Sequence, residues 1–208
     1  MTNYVSKDIV NEVSNKNEVM LQPGGEKIPV TVLFCTIKGE KELSDYSPEE
    51  VTKIISCLID TVDEISSIFN GQIDKLIEDT VMIVFRQIDK KDNIVLKACQ
   101  AALAINERLQ KNLPDFKINM GIASGDAVSG KIGSRNGKLD YTVIGNPVNL
   151  AARLKAQAYK AKTTGILLCP NSIRQLHGAG RLKYIERISI KGRTNRTFPL
   201  YELICLRK

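Results

Sequence analysis

The sequence predicts an α+β domain, with helices packed on a mixed sheet, and three observations carry that reading. Val30-Thr31-Val32-Leu33-Phe34-Cys35-Thr36-Ile37 is apolar and rich in β-branched residues, the composition of a central strand. Val51, Ile54, Ile55, Leu58, Val62, Ile65 and Phe69 recur at helical spacing, as do Ile94, Val95, Ala98, Ala102, Ile105 and Leu109 further on. Between these stretches Val81 to Phe85 run without a polar side chain after a sharp acidic corner, as a strand covered on both faces does. The order is strand, helix, hairpin, helix, strand, strand, helix, strand. It corresponds to a ferredoxin-like βαββαβ core with a C-terminal extension.

Residues 1–27 are polar and end near the breaker Pro23-Gly24-Gly25, so they read as a tail or linker ahead of a domain over 28–208. The first strand is expected over Val30 to Ile37, with Gly39 at the turn out of it. Ser47-Pro48-Glu49-Glu50 opens the first helix with a serine N-cap, proline at the first helical position and a glutamate completing a capping box. Asn70-Gly71 ends it, and the hairpin Gln72 to Phe85 follows. A second helix spans about Lys91 to Leu109, stopped before Pro114.

Phe116 to Ile122 alternates as a strand and continues through Asp126 to Gly133, where glycines 121, 125, 130 and 133 suggest close backbone approach, bends or a bulge. After the polar loop 134–138 comes the strand Leu139 to Gly145, then a helix from Val148 to about Tyr159 with Asn146 as its cap and Pro147 in first position. The remainder reads as a strand over 165–169, a short helix over 171–176, and strands over 184–190 and 198–204 joined by the basic turn Lys191 to Arg196.

A chain of 208 residues suits one well-buried domain with an accessory segment, and 43% hydrophobic with 25% charged residues is ordinary for a globular protein. No apolar run approaches the roughly 20 residues that span a bilayer, and the first residues are too polar for a secretory signal, so a cytoplasmic protein with no membrane partner is expected. The net charge of +7 fits a polyanionic ligand such as a nucleoside triphosphate, and equally a solvated basic surface. With no Trp and few aromatic residues there is no stacking platform for nucleic acid, which is not expected as a partner. Cys35, Cys57, Cys99, Cys169 and Cys205 lack CxxC spacing and read as reduced core thiols; the lone His177, beside Gly178, has no partners for a metal. Asp79, at the mouth of a buried strand, is costly as an isolated charge unless it meets a cation or donors, although surface turns also carry acids for solubility alone.

Three stretches together resemble the catalytic domain of class III adenylate/guanylate cyclases: Val30 to Gly39, Asp74 to Phe85, and Gly130 to Leu154. The last is the most specific, with Gly130-Lys131-Ile132-Gly133-Ser134 followed by Asp140-Tyr141-Thr142-Val143-Ile144-Gly145-Asn146-Pro147-Val148-Asn149-Leu150-Ala151-Ala152-Arg153-Leu154. Ile188 to Arg193 and Leu200-Tyr201-Glu202-Leu203 also fit. The resemblance implies the nucleotidyl cyclase fold and a head-to-tail dimer with composite sites, in which ATP or GTP is cyclised by its own ribose 3′ oxygen with two Mg²⁺ or Mn²⁺ ions. By position it implies that Asp79 is a metal ligand, that Lys75 and Thr142 read the base, that Asn149 orients the ribose, that Arg153 stabilises the transferring phosphate, and that Lys191 holds the terminal phosphates. Asn149 and Arg153 lie four apart on one expected helix and share a face.

The departures from that family pattern are local. Thr36 stands where the first metal-binding aspartate is expected, Glu40-Lys41 replaces the family's Phe-Thr, and Glu78 replaces the glycine ahead of Asp79. A threonine hydroxyl is a neutral, weak substitute for a carboxylate on a hard cation. Losing such a central charge costs several kcal/mol, on the order of a thousandfold or more in rate. Glu78 or Glu40 could supply the missing carboxylate, although neighbours such as Glu78 and Asp79 in a hairpin tend to point to opposite faces. Alternatively the chain pairs with a complete cyclase as a heterodimer instead of forming a homodimer. Two functions therefore stand: a weakly active nucleotidyl cyclase, and a pseudo-cyclase that dimerises, binds nucleotide or regulates a partner. Lys75 with Thr142 leans towards adenine by family habit.

Overall fold

The computed structural model describes residues 24–133, 139–189 and 197–207. Its longest pairing joins strand β1 (Gly24–Gly39) to β4 (Phe116–Gly133), antiparallel and in register from Gly24↔Lys131 to Gly39↔Phe116. Between them in sequence come helix α1 (Pro48–Ile68), strands β2 (Gln72–Ile77) and β3 (Thr80–Arg86), and helix α2 (Ile94–Asn112). After β4 follow β5 (Leu139–Ile144), α3 (Asn146–Gln157), β6 (Ile166–Leu168), α4 (Pro170–Gln175), β7 (Gly180–Ser189) and β8 (Thr197–Leu206). The strands form one sheet in the order β2-β3-β1-β4-β6-β8-β7, with β5 also paired to β4. Only β4 with β6 is parallel among these pairs, so the sheet is mixed, and β2-β3-β1-β4 with α1 and α2 is the expected βαββαβ core.

The period-two alternation of side chains sends one strand into two cores. Leu33, Cys35 and Ile37 of β1 join Val81, Ile83 and Phe85 of β3 beneath α1 and α2. Val30, Val32 and Phe34 join Met82 and Val84 on the opposite face, with Ala151 and Leu154 of α3. Thr36 has the parity of Val32 and Phe34, and so belongs to the face that α3 covers. Among the described residues no helix is long and apolar enough to cross a membrane.

Helix α1 begins as the sequence indicates: Ser47 Oγ accepts from Glu50 N–H at 3.3 Å while Glu50 Oε2 accepts from Ser47 N–H at 2.9 Å. Three expectations are corrected. Strand β1 starts at Gly24, ahead of Val30, because the β4 strand beside it is long enough to pair with the extra residues. Of the alternatives for the glycine-rich part of β4, the close backbone approach is made by Gly121 against α3, whereas the register against β1 is unbroken and contains no bulge there. The register shifts lie instead between Ile73 and Lys75 of β2 and within the β7–β8 pair. The residue capping α3 is Gly145, with no side-chain cap, since Asn146 is already helical and a Cβ at 145 would come within 3.0 Å of Ala127 Cβ. The loop 134–138 and the basic turn with Lys191 lie outside the described residues.

Candidate functional site

The hairpin corner between β2 and β3 is formed by Glu78, in the left-handed region at φ 55°, and Asp79. That conformation costs a side-chain-bearing residue roughly 1 kcal/mol, so the corner keeps a glycine-like shape without glycine. Asp79 is half-buried. Its Oδ1 accepts from the hydroxyl of Thr80 at 3.0 Å. Thr80 opens β3 and pairs across the sheet with Thr36, which in turn pairs with Asn119 of β4. Thr80, Thr36 and Asn119 thus form a buried polar row on the α3 face, with exposures of 6%, 7% and 8%. Thr36 Oγ1 donates to the neighbouring Ile37 carbonyl oxygen at 3.4 Å, a long bond that stays within its own strand.

Lys155 of α3 completes this corner. A Cβ at Gly121 of β4 would lie 2.2 Å from Ala151 O and 2.3 Å from Lys155 N, so only glycine lets the α3 backbone come down onto β4 there. From that position the Lys155 ammonium donates to Thr80 Oγ1 at 3.2 Å. One hydroxyl therefore links the ammonium to the Asp79 carboxylate. Lys155 is half-buried, and among the described residues it makes no ion pair. Its field opposes the much larger effect of burial on Cys35, whose thiol is pushed up to about 12. Burial raises Cys99 as well, so both are inert core thiols, as expected.

A second polar cluster sits where β2, β3, β4 and β5 meet. Thr142 of β5, 3% exposed, donates its hydroxyl proton to Asp74 Oδ2 at 2.6 Å. Asp74 Oδ1 lies 3.6 Å from Arg86 Nη2, close enough for an ion pair and too far for a hydrogen bond. Arg86 also donates to Gln72 Oε1 at 2.8 Å and to Ser129 Oγ at 3.1 Å, and its guanidinium stands 5.2 Å from the Tyr141 ring centre. Burial pushes the Asp74 carboxyl up, and the Thr142 hydrogen bond with the charges of Arg86 and Lys75 opposes that only in part.

A family model for the adenylate and guanylate cyclase catalytic domain matches residues 24–202. The chain belongs to that family. An uncharacterised protein of Mycobacterium tuberculosis is 34% identical over 134 residues, 64% of this chain and 25% of that protein. Adenylate cyclase 1 of Rhizobium meliloti is 29% identical over 184 residues, 84% of this chain and 27% of that protein. The chain thus spans about a quarter of the length of these curated relatives. Among solved structures, the adenylyl cyclase CyaB of P. aeruginosa superposes with a TM-score of 0.76 at 26% identity, covering 89% of this chain and 98% of that one. The guanylyl cyclase Cya2 superposes at 0.72 with 21% identity, over 89% of this chain and 96% of that one, which speaks for the fold.

Within this cyclase-family domain the expected site residues divide between the clusters. Asp79 and Thr36 lie at the first, one in the corner and one on the neighbouring strand, linked through Thr80. Thr142 lies in the second, next to Asp74, while Lys75 is exposed on β2. Asn149 and Arg153 are both exposed on α3. Lys191 lies outside the described residues.

The family generally uses Mg²⁺ or Mn²⁺, and the residues at this corner do not fit such an ion. Asp79 is joined there by two hydroxyls and an ammonium, and among the described residues no group of three or more Asp, Glu, His or Cys is placed to hold a metal. Glu40 and Glu78 are exposed, and neither is gathered with Asp79 into such a group. At about 4 Å and surface dielectric, like unit charges repel by about 4 kcal/mol, so a dication beside Lys155 meets roughly twice that before screening.

Sequence reasoning missed Lys155 and Asp74. The only sequence signal for Lys155 was its place two residues beyond Arg153; for Asp74 it was a lone carboxylate in an apolar strand with Arg86 in the next strand.

Proposed function

We propose that this cyclase-family domain binds a nucleoside triphosphate, ATP in preference to GTP, as part of a dimer in which cyclisation is impaired. The observation that carries the reading is the Thr36–Thr80 pair: the strand position beside Asp79 holds a buried hydroxyl, which leaves Asp79 the one carboxylate among these groups. Without a second carboxylate the charge that would gather a metal is missing, a loss on the order of a thousandfold in rate. Binding does not share that loss, because Asn149 and Arg153 are kept together on the exposed side of α3 and Lys75 is free to approach a base from β2.

The preference for ATP follows from hydrogen-bond polarity. Thr142 gives its proton to Asp74, so what its oxygen offers a base is a lone pair. Adenine presents an amino donor at its sixth position and guanine a carbonyl acceptor, so the committed hydroxyl suits adenine. For assembly, Leu76, Ile77, Val128 and Ile144 are 46%, 53%, 42% and 56% exposed on the β2–β3 hairpin and the β4–β5 arm. We read this apolar surface as covered by a second cyclase domain, in a homodimer or with a complete cyclase. One copy would supply Lys75, Thr142, Asn149, Arg153 and Lys191, and the other the Asp79 corner.

The test is cyclic AMP and cyclic GMP production by the purified protein with Mg²⁺ and with Mn²⁺, beside Thr36→Asp and the double variant Thr36→Asp with Lys155→Gln. The unmodified chain is expected at background and the double variant well above it. Robust turnover by the unmodified chain overturns the impaired reading. A retained activity would favour the second reading, a weakly active cyclase, for which the preserved Asn149 and Arg153 speak.

A further inference from the structure

We infer that Lys155 is a built-in counter-cation of the Asp79 corner, so that the domain binds the polyphosphate of ATP without a divalent metal. The inference rests on the nucleotide-binding reading above and goes beyond it by naming what replaces the metal. Three observations support it. First, the lysine is put in place by the fold: Gly121 allows the Lys155 backbone to sit against β4, and the polar row Thr80–Thr36–Asn119 lies on the same face of the sheet. Second, its ammonium is anchored by one donated hydrogen bond to Thr80 Oγ1, and Lys carries three N–H donors, so two remain for a ligand. Third, a half-buried ammonium with no carboxylate partner among the described residues is incomplete by itself; an anion completes it.

The charges at the corner agree. Asp79 and Lys155, linked through Thr80, sum to zero. A corner of two carboxylates repels a polyphosphate until a dication intervenes; a neutral corner with N–H donors to spare does not, and it gives a dication little reason to bind.

The experiment is calorimetric titration of the full chain with ATP, once in excess EDTA and once in Mg²⁺, on the unmodified protein, Lys155→Gln and Lys155→Arg. The expected dissociation constants of the unmodified protein agree within about threefold between the two conditions. Lys155→Gln is expected to weaken binding in EDTA at least tenfold while Lys155→Arg largely retains it, with circular dichroism confirming that both are folded. Binding that requires Mg²⁺ by tenfold or more, or that ignores Lys155→Gln, overturns this inference and leaves the nucleotide-binding reading standing. Absence of ATP binding in both conditions overturns both. As an independent readout, the unmodified protein should leave the free Mn²⁺ electron-paramagnetic-resonance signal unchanged. Uptake of Mn²⁺ by the unmodified chain without nucleotide also overturns the inference.

Discussion

The two polar clusters of this sheet are built by opposite rules. Around Asp74 the counter-charge lies inside the fold: Oδ2 takes the Thr142 proton, Oδ1 has no hydrogen-bond partner and stands 3.6 Å from Arg86, and Arg86 is itself held by Gln72 and Ser129. Around Asp79, among the described residues, the charge is matched through a shared hydroxyl, between two half-buried groups. Buried hydrogen bonds hold their groups in one geometry. The Asp74 cluster therefore fixes the direction of the Thr142 hydroxyl, whereas at the Asp79 corner the two charged groups stay half-buried. In the function proposed above, the first cluster faces the base and the second the phosphates.

The Asp79 corner depends most on Gly121, which seats α3 against β4. Gly121→Ala forces α3 off β4, and overpacking of this kind costs about 3 kcal/mol, which lowers the melting temperature by roughly 6–12 °C for a chain of this size. Thermal unfolding followed by circular dichroism checks the loss. Because the lifted helix carries Lys155, metal-free ATP binding should weaken as well.

A control outside both clusters is Glu202, buried on β8. Burial pushes its carboxyl up, but the backbone N–H donors of Thr164, Thr163, Gly165 and Lys162 outweigh this and hold it below the usual glutamate range. A lowered folded value means that the stabilisation is fully present above the unfolded value near 4.3 and is lost as pH falls through the folded one. Glu202→Gln should cost about 2 kcal/mol at pH 7. In urea titrations the gap from the unmodified protein should narrow towards pH 3. A gap that does not change with pH would mean that the charge is not what matters.

The smallest expected effect sharpens the comparison most directly. Asp74→Asn can turn an amide N–H towards Thr142, which frees the hydroxyl proton to meet a carbonyl. The preference for ATP over GTP should fall by about tenfold, within the roughly 1–3 kcal/mol that such base contacts are worth. Competition between the two nucleotides for binding measures it, and an unchanged ratio removes Asp74 from base selection.

How legible these features were in the sequence depended on how local their causes are. The capping box at Ser47 and Glu50 was readable because its partners lie three residues apart. The central strands were readable because Val30 to Ile37 and Val81 to Phe85 are apolar and rich in β-branched residues. The continuation of β4 to Gly133 was readable too, but which of close approach, bend or bulge its glycines serve was not, because that is set by what lies across from them: α3 at Gly121 and β1 along the whole strand. Lys155 was hidden for the same reason, its reach to Thr80 depending on a helix pressed against a strand far away in sequence. That Thr36 stands where the family resemblance expects an aspartate was visible in the sequence, but the Lys155 ammonium on the neighbouring Thr80 was a tertiary fact.

Strand β1 also has a mechanical consequence. Its sixteen residues, at about 3.3 Å each, make a strut about 50 Å long that enters at Gly24 beside the β4–β5 arm and carries Thr36 near its far end. Side chains alternate along the strut, so a slip of one residue would put Cys35 or Ile37 in the place of Thr36 and drive apolar groups out of both cores. Push or pull on the entering end therefore cannot be transmitted as sliding. A signal arriving there has to travel as twist or tilt of the whole ladder, turning the Thr36 row beneath Lys155 while every rung stays in register.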